Sequence, residues 1–123
     1  MAQDLISNFT VKKFTIIINE ALSAAVNIQG LVLIGIVMPA DWTAANITFQ
    51  GSLDNVTFND VYDEDGVEIA WTGASASRVL LQTGTQPLLG GLSYLKIRSG
   101  VTATPVNQAA ARTVELIFAV PNP

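Results

Sequence analysis

The chain has 123 residues, half of them apolar, with six Lys or Arg against ten Asp or Glu and a net charge of −4. It contains neither Cys nor His, which excludes disulfides and thiolate chemistry and removes the usual neutral-pH base and metal ligand. The negative balance also argues against nucleic acid or an anionic membrane as partner.

Residues 1–10 (MAQDLISNFT) lack a positive n-region and a long apolar stretch, so they do not read as a secretory signal, and synthesis in the cytoplasm is expected. They read as a loose N-terminal arm, with Leu5, Ile6 and Phe9 as candidate anchors, ahead of one domain over 11–123. Phe14 to Ile18 is β-branched and aromatic and predicts a strand. A short strand over Ala24 to Ile28 turns at Gln29-Gly30 into Leu31–Met38. That run is apolar throughout, which predicts a central strand covered on both faces; at eight residues it is far short of a membrane span.

Asn46 to Gln50 alternates, with Ile47 and Phe49 inward. Further strands are expected over Val56–Tyr62, Val67–Trp71 and Arg78–Gln82, separated by Asp-Gly and Gly/Ser turns. In Tyr94–Arg98, Leu95 and Ile97 face the core while Lys96 and Arg98 face out. The last strand, Thr113–Val120, puts Val114, Leu116, Phe118 and Val120 on one face. Eight or nine short strands at regular spacing predict an all-β, antiparallel, jelly-roll-like sandwich. Helix is expected only as single turns, over Asp41–Ala45 and Asn107–Arg112.

Seven of the ten carboxylates fall between Asp41 and Glu68, a stretch without Lys or Arg. Clustered oxygens suit Ca²⁺, and Asp63 to Asp65 is the densest group; yet Asp65-Gly66 before Val67 is a hairpin signal, and the turn is the preferred reading. Arg78, Lys96, Arg98 and Arg112 oppose this acidic half. Such halves suit head-to-tail contacts between copies and suit pairing within one molecule equally well. Trp71 is in phase with Val67 and Ile69 and is expected in the core, and Trp42 is expected as a plug over an open end. A nucleophile–base pair, a phosphate-cradling Gly loop and a Lys within the apolar strands are all missing, so an enzyme is not expected, nor a cofactor.

The stretch from Trp42 to Gly66 (WTAANITFQGSLDNVTFNDVYDEDG), with Tyr94–Gly100 (YLKIRSG) and Pro105–Arg112 (PVNQAAAR), resembles small all-β proteins encoded among the structural genes of tailed phages. The resemblance spans roughly residues 30 to 118, and its motifs are strand and turn patterns that carry no site residues over. It implies a capsid decoration, or cement, protein at the virion surface, bound to the major capsid protein and to copies of itself, as a homotrimer or other symmetric cluster. Composition points the same way. Only 16 of 123 residues are charged, against about a quarter in ordinary domains, leaving too little material to wet a whole surface. Two other roles fit a charge-poor sandwich: a carbohydrate-binding module for host adsorption, which needs a row of exposed aromatics, and a tail or connector subunit.

Overall fold

The computed structural model describes residues 6–83 and 89–121, with side chains described over 8–83 and 89–120. Nine strands and no helix are present among them. Sheet A has the order β1 (Ile6–Ile16), β9 (Arg112–Pro121), β3 (Val32–Val37) and β6 (Val79–Leu81). Sheet B runs β2 (Val26–Asn27), β7 (Tyr94–Val101), β4 (Ile47–Ser52) and β5 (Asn59–Asp60), with β8 (Thr104–Pro105) beside β7. All pairings are antiparallel, which gives the expected all-β sandwich.

Alternation builds the core. Phe14 and Ile16 of β1, Val114, Leu116 and Phe118 of β9, and Leu33 and Ile36 of β3 point inward from sheet A. Ile47 and Phe49 of β4 and Leu95 and Ile97 of β7 meet them from sheet B. The Phe14 and Phe118 rings meet at a 36° tilt across β1 and β9, their centroids 6.5 Å apart. Trp42 is buried at the margin of this cluster and donates its indole N–H to the Ala45 carbonyl at 3.0 Å, as befits a plug. Trp71 packs against the core from the rim, bridged to Ile47.

Three expectations need correction. Residues 6–10, read as part of a loose arm, continue β1 and pair with β9 from Ile6↔Pro121 to Thr10↔Phe118. The length of β9 offers a ladder that far, and backbone pairing outweighs the polarity of Ser7 and Asn8. Leu5 lies outside the described residues, as does the Ile6 side chain. The two helical turns are absent: 41–45 is a turn and bend, and 107–111 is an irregular link. Gln108 replaces that second helix as the ordering element. Its fully buried amide accepts from the Thr43 N–H at 2.9 Å and donates to the Thr43 carbonyl at 3.0 Å and Ser99 Oγ at 2.7 Å. Its own backbone pairs with Asn19 and Glu20. One side chain thereby ties three distant segments.

The third correction concerns β3. It is central, between β9 and β6, but only one of its faces is covered by a second layer. Val32 and Val37 on the other face are half-buried and Gly35 is buried, among neighbouring side chains of the same sheet.

Phe118→Ala deletes a fully buried ring from the centre of both sheets' contact. A loss of about 3–5 kcal/mol of unfolding free energy is expected, read from chemical denaturation; a loss below 1 kcal/mol would show that the two layers are not tightly packed.

Candidate interaction surface

Sheet B covers its own outer face. Register places Thr48 opposite Arg98 and Gln50 opposite both Lys96 and Asp60, all pointing away from the core. Arg98 is only 6% exposed. Its Nη2 donates to Asp60 Oδ1, and its Nη1 lies 2.8 Å from Thr102 Oγ1, 3.3 Å from Thr48 Oγ1 and 3.4 Å from Glu68 Oε2. Thr102 closes the ring, donating its hydroxyl and its N–H to the Glu68 carboxylate. Thr48 donates onward to the Gly100 carbonyl at 2.7 Å.

Gly100 has φ +94°, and a Cβ there would sit 2.7 Å from the Thr104 carbonyl oxygen, so the turn folding over this cluster requires glycine. The Arg98 guanidinium beside Asp60 holds that carboxyl below its ordinary range, helped by the Gln50 amide. Asp54 is held down as well, by the N–H groups of Thr57 and Val56 and the Ser52 hydroxyl.

Arg98 points away from the core as its strand phase requires, but it is a structural anchor rather than an open contact residue. Lys96 is half-buried, its ammonium 4.4 Å above the Phe58 ring. Arg112 hydrogen-bonds Gln108 at 3.4 Å, and the exposed Arg78 donates to the Gly73 carbonyl at 3.2 Å. Asp63 and Asp65 are exposed in a tight turn. Asp63 Oδ1 accepts from the N–H groups of Asp65 and Val67, both at 2.9 Å, and Gly66 takes φ +78°. That is the Asp-Gly hairpin geometry. Among the described residues no three carboxylates converge as a metal would need. Among the described residues the acidic and basic halves pair at Arg98 alone.

Sheet A is the opposite case. Its outer face carries exposed Phe9 and Val11 at the β1 edge and exposed Val79 and Leu81 at the β6 edge, with Val32, Val37 and Ile117 half-buried and Ala119 fully buried between them. The register aligns Phe9, Ala119 and Val32 in one row and Val11, Ile117, Gly35 and Leu81 in the next. Phe9 and Leu81 are each 65% exposed. The missing side chain at Gly35 is filled by its neighbours, since a Cβ would meet Leu81 Cδ2 at 2.9 Å and Ile117 Cδ1 at 3.3 Å, which flattens the centre of the face. Only the third row is charged, with Lys13 opposite Glu115. A groove of about 670 Å³ runs along the β6 edge, lined by Trp71, Val79 and Leu81 and by the polar Thr72, Gln82 and Thr83.

Strands about 4.8 Å apart, about 20 Å long in β3 but only about 10 Å in the three-residue β6, present roughly 300 Å² of flat area, the Lys13 and Glu115 row included. A contiguous apolar patch of that size on a soluble protein is commonly a contact surface. Phe9 is the one proposed arm anchor whose side chain is described, and it belongs to this face. A sugar platform is not favoured: the exposed aromatics among the described residues, Phe9 and Tyr62, sit on β1 and on the distant 62–68 hairpin.

Because Asp60 titrates low in the fold, its contribution to stability is present above the ordinary carboxylate value of 3.8 and is lost as pH falls through its own lower value. Acid denaturation is therefore expected to steepen below about pH 4, and Asp60→Asn to flatten that part of the profile; an unchanged profile would dismiss the pair. Arg98→Met strands two carboxylates and is expected to cost about 3–5 kcal/mol at neutral pH. Compared with models of known protein families, with curated proteins and with solved structures, the chain shows no match.

Proposed function

We propose that this chain is a structural subunit of a phage virion, a decoration protein that packs onto the outer surface of the major capsid protein lattice and braces neighbouring subunits. The observation that carries the reading is the flat apolar outer face of sheet A, exposed along its β1 and β6 edges. The same chain spends an arginine, two carboxylates and two threonines on covering the outer face of sheet B, whereas the edges of the sheet A face expose Phe9, Val11, Val79 and Leu81, four of the ten large hydrophobics exposed among the described residues. Buried against a neighbour, apolar area stabilises by about 25 cal/mol per Å² before the costs of association. Many modest contacts repeated over a symmetric shell then add by avidity. The resemblance of the 42–66, 94–100 and 105–112 stretches to tailed-phage structural proteins supplies the setting, and the scarcity of charge agrees with it.

Heads of the encoding phage, made without this gene, test the reading. Added wild-type chain is expected to co-sediment with them and to raise their heat tolerance. Val11→Glu with Leu81→Glu, both at exposed positions, is expected to keep the fold by circular dichroism and to lose most head binding. Wild-type chain that ignores the heads, or that binds tails instead, would overturn the decoration role.

A further inference from the structure

We infer that the free edge of β6 is a docking site for an extended segment of another protein, which adds to the four-stranded sheet A as one further antiparallel strand. The segment it fits has three successive apolar residues followed by an aspartate or glutamate. Such binding is a property of the chain by itself and does not depend on the decoration role.

The first observation is the state of the sheet edges. An edge strand presents unpaired backbone groups, and folds normally blunt it with lysines, a proline, a bulge or extreme shortness. β1, one edge of sheet A, carries Lys12 and Lys13 and a register shift between Ile6 and Asn8. The edges of sheet B, β2 and β5, have two residues each. β6 is the exception: Val79-Leu80-Leu81 holds no charge and no proline, and it pairs with β3 without a shift. Its ladder runs past both ends. The Met38 N–H donates to the Arg78 carbonyl at 2.8 Å, and the Gln82 N–H donates to the Ile34 carbonyl at 2.9 Å. Those two bonds fix the phase. Arg78, Leu80 and Gln82 turn their backbone groups toward β3, so Val79 and Leu81 turn theirs to the open side. Among the described residues no strand or loop backbone meets the N–H or C=O of either.

The second observation is the space beside that edge. The groove of about 670 Å³ separates β6 from residues 69–73, which the Trp71 and Ile47 pairing ties to sheet B. A strand laid about 4.8 Å from β6 lies in this groove and sets its side chains alternately on two surfaces. Those opposite Val79 and Leu81 join the exposed apolar row of the outer face. The one between them, opposite Leu80, points in against Leu80 and Trp71, both half-buried at the margin of the core. Three apolar residues in succession satisfy both surfaces.

Charge decides the next residue and the occupant. The Arg78 side chain shares its side of β6 with Leu80, and its Nη1 donates at 3.2 Å to the carbonyl of Gly73 in the groove wall. Among the described residues no carboxylate lines the groove, and Arg78 has no ion pair. In an antiparallel strand the residue after the three apolar ones comes opposite Arg78, where a carboxylate makes a charge-assisted pair. A second copy of this chain cannot supply it. Its edge strands β1, β2 and β6 contain no Asp or Glu, β1 brings two further cations, and Asp60 of β5 is held by Arg98. The occupant is therefore a segment of a different polypeptide.

The probe is an end-blocked, fluorescein-labelled Thr-Val-Leu-Val-Glu-Ser peptide, titrated with the purified full chain and read by fluorescence anisotropy. Saturable binding is expected. It should weaken about tenfold when the peptide Glu becomes Lys, or when the chain carries Arg78→Glu, and return when the two changes are combined. N-methylation separates strand addition from adhesion to an apolar groove. A methyl on either peptide Val, whose N–H points at β6, is expected to abolish binding, whereas a methyl on the Leu nitrogen, which points away, is tolerated. Leu81→Pro removes one outward donor, spares the β3 ladder, and is expected to lose binding with an unchanged circular dichroism spectrum. A peptide that does not bind, or whose binding ignores the position of the N-methyl group or the Arg78 reversal, would overturn the inference. So would a wild-type chain that associates with itself and turns monomeric on Leu81→Pro, because a second copy then holds the edge. Peptide binding by a chain that ignores gene-deleted heads would sustain the edge site and remove only the decoration role.

Discussion

A two-layered β-sandwich has four sheet faces, and its core consumes only two of them. The other two must be polar, covered by the chain's own loops, or covered by something else. Most features of this molecule follow from how it treats that pair. Sheet B is covered from within: Arg98 stands on its outer face, and Asp60, Glu68, Thr48 and Thr102 close around the guanidinium until almost none of it reaches water. A buried ion pair of this kind adds little net stability over an apolar packing. Its value lies in geometry, because it fixes the β5 border, the 62–68 hairpin and the turn after β7 in one arrangement. No buried side-chain nitrogen or oxygen among the described residues lacks a partner.

Sheet A receives no such cover, and the contrast gives its bare face meaning. An isolated exposed Leu or Val is ordinary on any protein. Two aligned rows, one across three strands and one across all four, flattened at Gly35 and ending at Lys13 and Glu115, form a surface. The low charge of the chain is then localised: ionised residues concentrate on the 53–68 loops and the Arg98 cluster, while β3 and β6 carry none.

Much of this was legible in the residues. The alternation of β7 and β9 yields their inward faces directly, as does that of β4, and Asp65-Gly66 announces its turn. Other features depend on tertiary context. The strand phase sends Arg98 away from Leu95, but its burial comes from Asp60 and Glu68, 38 and 30 positions away. Gln108 looked like part of an alanine-rich helix because its partners at Thr43 and Ser99 come from other strands and turns. The continuous apolarity of Leu31–Met38 predicts two covered faces; none of these residues is exposed, although a second layer lies on one face only. In β1 a signal was present and unread. Its apolar residues are odd-numbered through Phe9 and Val11 and even-numbered from Phe14 and Ile16, so the strand turns one apolar set outward and another inward.

The central claim is that the outer face of sheet A is dry in the working state. The absence of cysteine allows a direct test with single introduced thiols, at Val11 on that face and at Thr104 on the exposed β8 as a control. Maleimide labelling rates would be compared for dilute chain and for chain assembled on its particle. The account predicts equal labelling at both sites when dilute and strong protection of Val11→Cys alone on assembly. Labelling of Val11→Cys as fast as Thr104→Cys in both states would contradict it.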